Sequence, residues 1–73
     1  MEVLVYSRPA CVQCVATYRA LERQGIDFRV IDIEADPAGR RAVEELGYRQ
    51  LPVVIAGEEH WSGFRPDRIQ ELA

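Results

Sequence analysis

The chain has 73 residues, 48% hydrophobic and 29% charged, with a formal net charge of −3 at pH 7. Those figures describe one small soluble domain spanning residues 1–73, near the lower size at which a single core holds without a staple, and no apolar run approaches the roughly 18 residues of a membrane span. All nine basic residues are arginines scattered along the sequence, so no basic stripe is available for nucleic acid.

The opening residues, MEVLVYSRP, show no basic leader and no long apolar segment, which predicts a cytoplasmic protein without a secretory signal. Within them Glu2 to Tyr6 is a short apolar run, β-branched and aromatic, of the kind that forms a strand buried on both faces. From Cys11 the pattern becomes helical. Cys11, Cys14, Tyr18 and Leu21 fall on one stripe, Gln13, Arg19 and Glu22 lie off it, and Gly25 supplies the stop.

Asp27 to Ile33 reads as a second strand. Asp36 and Pro37 then give an N-cap and a first-turn proline for a helix that ends at Gly47, with Val43 and Leu46 as its narrow apolar stripe. Pro52 to Gly57 is a third strand, the residues after Gly57 (EEHW) return as a short antiparallel fourth, and RPDRIQELA closes as a helix with Pro66 in its first turn. The order β-α-β-α-β-β-α predicts an α/β fold: a right-handed parallel βαβ unit, a hairpin, and three helices flanking a four-stranded mixed sheet.

Both cysteines, Cys11 and Cys14, sit where the first strand gives way to the first helix. A disulfide over two intervening residues restricts the unfolded chain little, and cytosolic disulfides are more often catalytic than structural, so a working redox pair is the expected use. A C-x-x-C beside a βαβ pattern is the sign of a thioredoxin-like redox protein. The chemistry needs a thiolate, and an unperturbed thiol near pKa 8.5 is only a few per cent ionised at neutral pH. At a helix start, unpaired N–H groups and the macrodipole favour the anion; a shift of thioredoxin-type size corresponds to roughly 2 kcal/mol of thiolate stabilisation. Arg8, three residues upstream, adds positive charge. Cys11 is therefore the attacking thiol and Cys14, one turn deeper on the same face, the resolving one; Val12 and Gln13 tune the pair.

Competing uses of these residues are fewer. A structural zinc site takes four ligands, and only Cys11, Cys14 and His60 are available in one chain, so no metal site is expected; a cluster shared by two chains is a more distant alternative. His60 reads as a solvated hairpin residue without a role. Asp32 reads as a strand-end carboxylate facing water, Glu44 and Glu45 as a solvated helix face, and Tyr48, Trp61 and Phe64 as packing residues.

The runs CVQC at Cys11 to Cys14, GYRQLPVVIAG at Gly47 to Gly57 and WSGFRPD at Trp61 to Asp67, in this order, resemble the NrdH-redoxins, small glutaredoxin-like proteins with thioredoxin-like activity. The resemblance implies a thioredoxin fold in which Pro52 is cis and lies against the cysteine pair, and in which Leu51 offers backbone groups to an extended partner segment. It further implies that Trp61, Ser62, Gly63, Phe64, Arg65 and Asp67 form the loop and helix start beside the dithiol, with Phe64 adding to an apolar contact surface. The family carries electrons from thioredoxin reductase, fed by NADPH, to the large subunit of class Ib ribonucleotide reductase. The carrier binds no cofactor and acts as a monomer. A glutathione-dependent glutaredoxin is the alternative. It is disfavoured because the C-P-Y-C dithiol and the late Gly-Gly-Asp loop of those proteins are replaced here by CVQC and by Phe64 and Arg65 after Ser62 and Gly63.

Overall fold

The computed structural model describes residues 1–73. In chain order the elements are β1 (Val3–Ser7), α1 (Val12–Arg23), β2 (Arg29–Asp32), α2 (Pro37–Glu45), β3 (Val53–Ala56), β4 (Glu59–Ser62) and α3 (Pro66–Glu71). One four-stranded sheet has the order β2-β1-β3-β4. β1 pairs with β2 in parallel and with β3 antiparallel, and β3 turns back onto β4. The predicted mixed sheet and element order are therefore present.

Strand alternation sorts the apolar residues into two layers. Val3 and Val5 of β1 and Val54 and Ala56 of β3 face α1 and α3, where they join Ala20, Leu21, Trp61 and Ile69 in the larger core. Leu4 and Tyr6 of β1 and Val53 and Ile55 of β3 point the other way, toward Val43 and Leu46 of α2 and its flanks. β1 is thus buried on both sides, as its unbroken apolar run predicts. Leu21, with no exposed surface, is the largest fully buried side chain; burying such a residue contributes roughly 1.5–3 kcal/mol.

The helix ends follow from local chemistry. Asp36 caps α2, its Oδ1 accepting from the N–H groups of Ala38 at 3.0 Å and Gly39 at 3.2 Å, with Pro37 at the position where a missing N–H costs nothing. Both longer helices stop in the same way. After α1 the N–H of Gly25 donates to Glu22 and that of Ile26 to Leu21; after α2 the N–H of Gly47 donates to Glu44 and that of Tyr48 to Val43. Gly25 and Gly47 have φ of +70° and +82°, the left-handed conformation this closure needs and which glycine adopts without a Cβ penalty.

Several boundaries differ from the sequence reading. Cys11 is the N-cap of α1 rather than part of its stripe; the buried line is Cys14, Thr17, Ala20 and Leu21, with Tyr18 half-buried. Thr17 is accepted in the core because its hydroxyl donates to the carbonyl of Gln13 at 2.8 Å, which removes the cost of burying it. The second strand is shorter than Asp27 to Ile33, since Asp27 and Phe28 precede its register with β1. The fourth strand runs one residue later than EEHW because Gly57 and Glu58 form the hairpin turn.

Candidate functional site

The site forms where β1 ends and α1 begins. After Ser7 the chain turns through Arg8, Pro9 and Ala10, and Ala10 takes φ +60° to bring Cys11 to the head of the helix. There the Cys11 sulfur occupies the place of a capping oxygen: it accepts the N–H of Cys14 at 3.3 Å. No acidic residue lies in the first turn of α1, so the positive end of the helix faces that sulfur without a carboxylate on its own turn. Cys11 and Cys14 are joined in a disulfide, with their Cα atoms 5.2 Å apart. Cys14 is 1% exposed and faces inward, whereas Cys11 is partly exposed and Val12 stands out in solvent. One sulfur is accessible and the other is behind it.

Two grooves meet at Cys11. The first is apolar, running past Pro9, Ala10, Val12, Val15 and Tyr18 to Val30 on the edge strand. At its floor the Tyr18 hydroxyl donates to the buried Ser7 Oγ at 2.7 Å. Asp32 closes its far end and is partly buried rather than turned to water; its Oδ1 accepts the N–H of Glu34 at 2.9 Å. The second groove lies between Cys11 and the loop before β3, bordered by Arg8, Gln13, Arg49, Gln50 and Leu51. The Leu51–Pro52 peptide is cis. Neither the N–H nor the C=O of Leu51, which borders this groove, takes part in a backbone hydrogen bond.

The late segment is tied to this arrangement residue by residue. Ser62 Oγ donates to the carbonyl of Gln50 at 2.6 Å, the Gly63 N–H to the carbonyl of Pro52 at 2.8 Å, and the Phe64 N–H to Oε1 of Gln13 at 3.1 Å. Arg65 pairs with Asp67 through two bonds, Nε to Oδ1 at 3.1 Å and Nη2 to Oδ2 at 2.9 Å. That pairing raises the Arg65 pKa and holds the Asp67 carboxyl below the usual aspartate range, the side-chain hydrogen bond being the main cause of both. Trp61 is buried in the larger core, with the Arg68 guanidinium 5.1 Å from its ring centre. Phe64 keeps part of its ring exposed.

Of the residues that the sequence assigned to the site, Arg8, Val12, Gln13 and Leu51 line the grooves at Cys11 with Cys14 behind it, Pro52, Ser62, Gly63 and Phe64 are held by the bonds above, Arg65 and Asp67 pair with each other at the start of α3, and Trp61 packs in the core. Missed were Arg49 and Gln50, which border the groove, and the Ser7–Tyr18 hydroxyl pair. Nothing in the periodicity of GYRQ marks the first two, whereas the spacing of Cys14 and Tyr18 along one helix face did point at Tyr18. His60 is exposed but not idle: Tyr48 Oη lies 2.8 Å from its Nδ1 and the rings meet edge to face at 75°. No three His, Cys, Asp or Glu side chains come together as a metal-binding group.

Comparison with known proteins fits this geometry. The glutaredoxin family pattern matches residues 3–61. The glutaredoxin-like protein NrdH of Escherichia coli (strain K12) is 51% identical over 72 residues, covering 99% of this chain and 89% of that protein. The chain belongs to the NrdH-redoxin family. The NrdH protein of Lactococcus lactis subsp. cremoris is 37% identical across 97% of the chain and 99% of its own length. The solved NrdH-redoxin from Escherichia coli, described for its thioredoxin-like activity profile, superposes with a TM-score of 0.96 over 100% of this chain and 96% of that one. As an NrdH-redoxin the chain is a glutaredoxin-like protein of the thioredoxin fold with a redox-active dithiol. No helix of this NrdH-redoxin is long and apolar enough to cross a membrane.

Proposed function

We propose that the chain is a dithiol electron carrier that takes reducing equivalents from thioredoxin reductase, supplied by NADPH, and delivers them to the large subunit of class Ib ribonucleotide reductase. The observation that carries this reading is the pairing of an accessible sulfur at a helix N-cap, Cys11, with a buried one, Cys14, beside the unpaired backbone of Leu51. An extended partner segment can pair with Leu51 as an added strand and so present its disulfide to Cys11.

In the reduced protein the Cys11 thiolate attacks one sulfur of the partner's disulfide. A Cys11–partner bond forms, the partner's bond breaks, and its other sulfur leaves and takes up a proton. Cys14 then loses its proton and attacks Cys11, closing the internal disulfide and releasing the partner's second thiol. The partner has gained two electrons from the carrier and two protons, one from Cys14 and one from solvent, which had already received the Cys11 proton. The second attack is intramolecular, with the high effective concentration that a fixed geometry confers. On this reading the carrier is a cytoplasmic monomer and binds no cofactor of its own.

The deciding experiment supplies NADPH with either thioredoxin reductase or glutathione and glutathione reductase, and follows reduction of a model disulfide. Turnover in the first arm is expected. Efficient turnover with glutathione alone would make the protein a glutathione-dependent glutaredoxin instead. Against that alternative, the Phe64 N–H is already taken by Gln13 and Arg65 by Asp67, so these groups are not free for a small peptide's carboxylates. Stoichiometric zinc or iron in anaerobically purified protein would favour a metal-binding role for the same thiols.

A further inference from the structure

Cys11 stands on a ridge between two grooves of different character. On the α1 side the lining is apolar apart from Ser7, Arg8 and Asp32. On the Leu51 side it includes Arg8 and Arg49 and no carboxylate at all. The chain as a whole is acidic, with 12 Asp and Glu against 9 basic residues, so this groove reverses the sign of its surroundings. Its charge is also uncompensated. The ion pairs of the surface engage Arg29, Arg40, Arg65 and Arg68, and Arg8 and Arg49, both exposed, take no part in them.

Two unpaired guanidinium groups around a reacting sulfur suit an anion carried in by whatever docks there. A segment that pairs with Leu51 and presents its cysteine to Cys11 would enter the groove bordered by Arg8 and Arg49, with the apolar groove of Val12, Val15 and Val30 on the other side of Cys11. We infer that the polypeptide segment delivering the disulfide to Cys11 is acidic, with a carboxylate side chain next to its reactive cysteine held by Arg8 and Arg49. The inference rests on the dithiol-carrier reading and names the substrate class of that same site. Positive charge near Cys11 also favours its thiolate, but that effect acts on every substrate alike. A ratio between two substrates isolates recognition.

The test uses two synthetic peptides, each with one internal disulfide, identical except that the residues flanking one cysteine are Glu in the first and Gln in the second. Pre-reduced protein is mixed with each, and the second-order rate of its oxidation is read by acid quench and mass spectrometry. Rates with dithiothreitol give the intrinsic ratio of the two peptides, by which the protein's ratio is divided. Exposed ion pairs are individually weak, so a preference of about three- to tenfold for the Glu peptide is expected at low salt. It should approach one at roughly 0.5 M salt, where screening is strong. Arg49→Lys should keep most of the preference, Arg49→Gln reduce it, and Arg49→Glu reverse it. Equal rates for both peptides with the parent, or an unchanged ratio in Arg49→Glu, would overturn the acidic-segment inference while leaving disulfide exchange standing. If neither peptide oxidises the protein, the carrier reading fails and takes this inference with it.

Discussion

The carboxamide oxygen of Gln13 accepts the backbone N–H of Phe64 at 3.1 Å, joining residues 51 positions apart in the chain. Gln13 lies between the two cysteines and Phe64 lies in the turn that enters α3, so this bond ties the dithiol helix to the late loop. The glutamine between the cysteines is therefore a strut as well as a spacer.

Replacing Gln13 by Ala removes the strut. The Phe64 N–H is near solvent, so water takes over as acceptor, and the loss is that of an ordinary hydrogen bond, about 0.5–1.5 kcal/mol. Hydrogen exchange at the Phe64 amide should accelerate by roughly two- to tenfold while the amides of β1 and β3 keep their protection. An unchanged Phe64 rate would show that the contact has no weight in solution.

The unequal exposure of the two sulfurs gives separable variants. Cys11→Ser leaves no accessible thiol and should have no detectable disulfide reductase activity. Cys14→Ser keeps the attacking sulfur but cannot resolve, so it should accumulate as a mixed disulfide with the substrate, visible by intact mass. A Cys14→Ser protein that turns over at the parent's rate would remove the two-thiol mechanism.

Gly39 sets how closely α2 approaches the sheet. A Cβ there would lie 2.7 Å from Cγ2 of Ile31, a β-branched side chain with little freedom to move aside. Gly39→Ala gains less than the roughly 1 kcal/mol of a helix interior, because Gly39 lies in the first turn of α2, and it overpacks the α2–β2 contact at a typical cost of about 1–3 kcal/mol. Net destabilisation is expected in urea denaturation. A stabilised variant would mean that α2 shifts outward freely.

The Arg65–Asp67 pair has a defined pH window. Because the Asp67 pKa is lowered on folding, its contribution is fully present above the carboxylate's unfolded value, near about pH 4, and is lost as the pH falls through the depressed folded value. A stability difference between the parent and Asp67→Asn should therefore be present at neutral pH and fade below about pH 4. Both groups are exposed, so the difference is small. A difference that grows on acidification would contradict the assignment.

What the sequence by itself determined is whatever depends on near neighbours. Helix starts at Asp36 and Pro37, helix stops at Gly25 and Gly47, the unbroken apolar run of β1 and the two-residue spacing of the cysteines are all set within a few positions, because capping bonds, φ preferences and side-chain periodicity are local. The resemblance carried by CVQC, the run around Pro52 and WSGFRPD added the family and the cis proline. Tertiary structure alone decided which distant groups meet. Arg49 borders the groove of Cys11, Gln13 reaches Phe64, and Tyr18 donates to Ser7 only once β1 and β3 pair and the helices settle on opposite faces of the sheet. Contacts of that kind leave no period in the chain. They arise because a sheet brings remote segments side by side, and the register of the pairing, rather than any neighbouring residue, selects which side chains face one another.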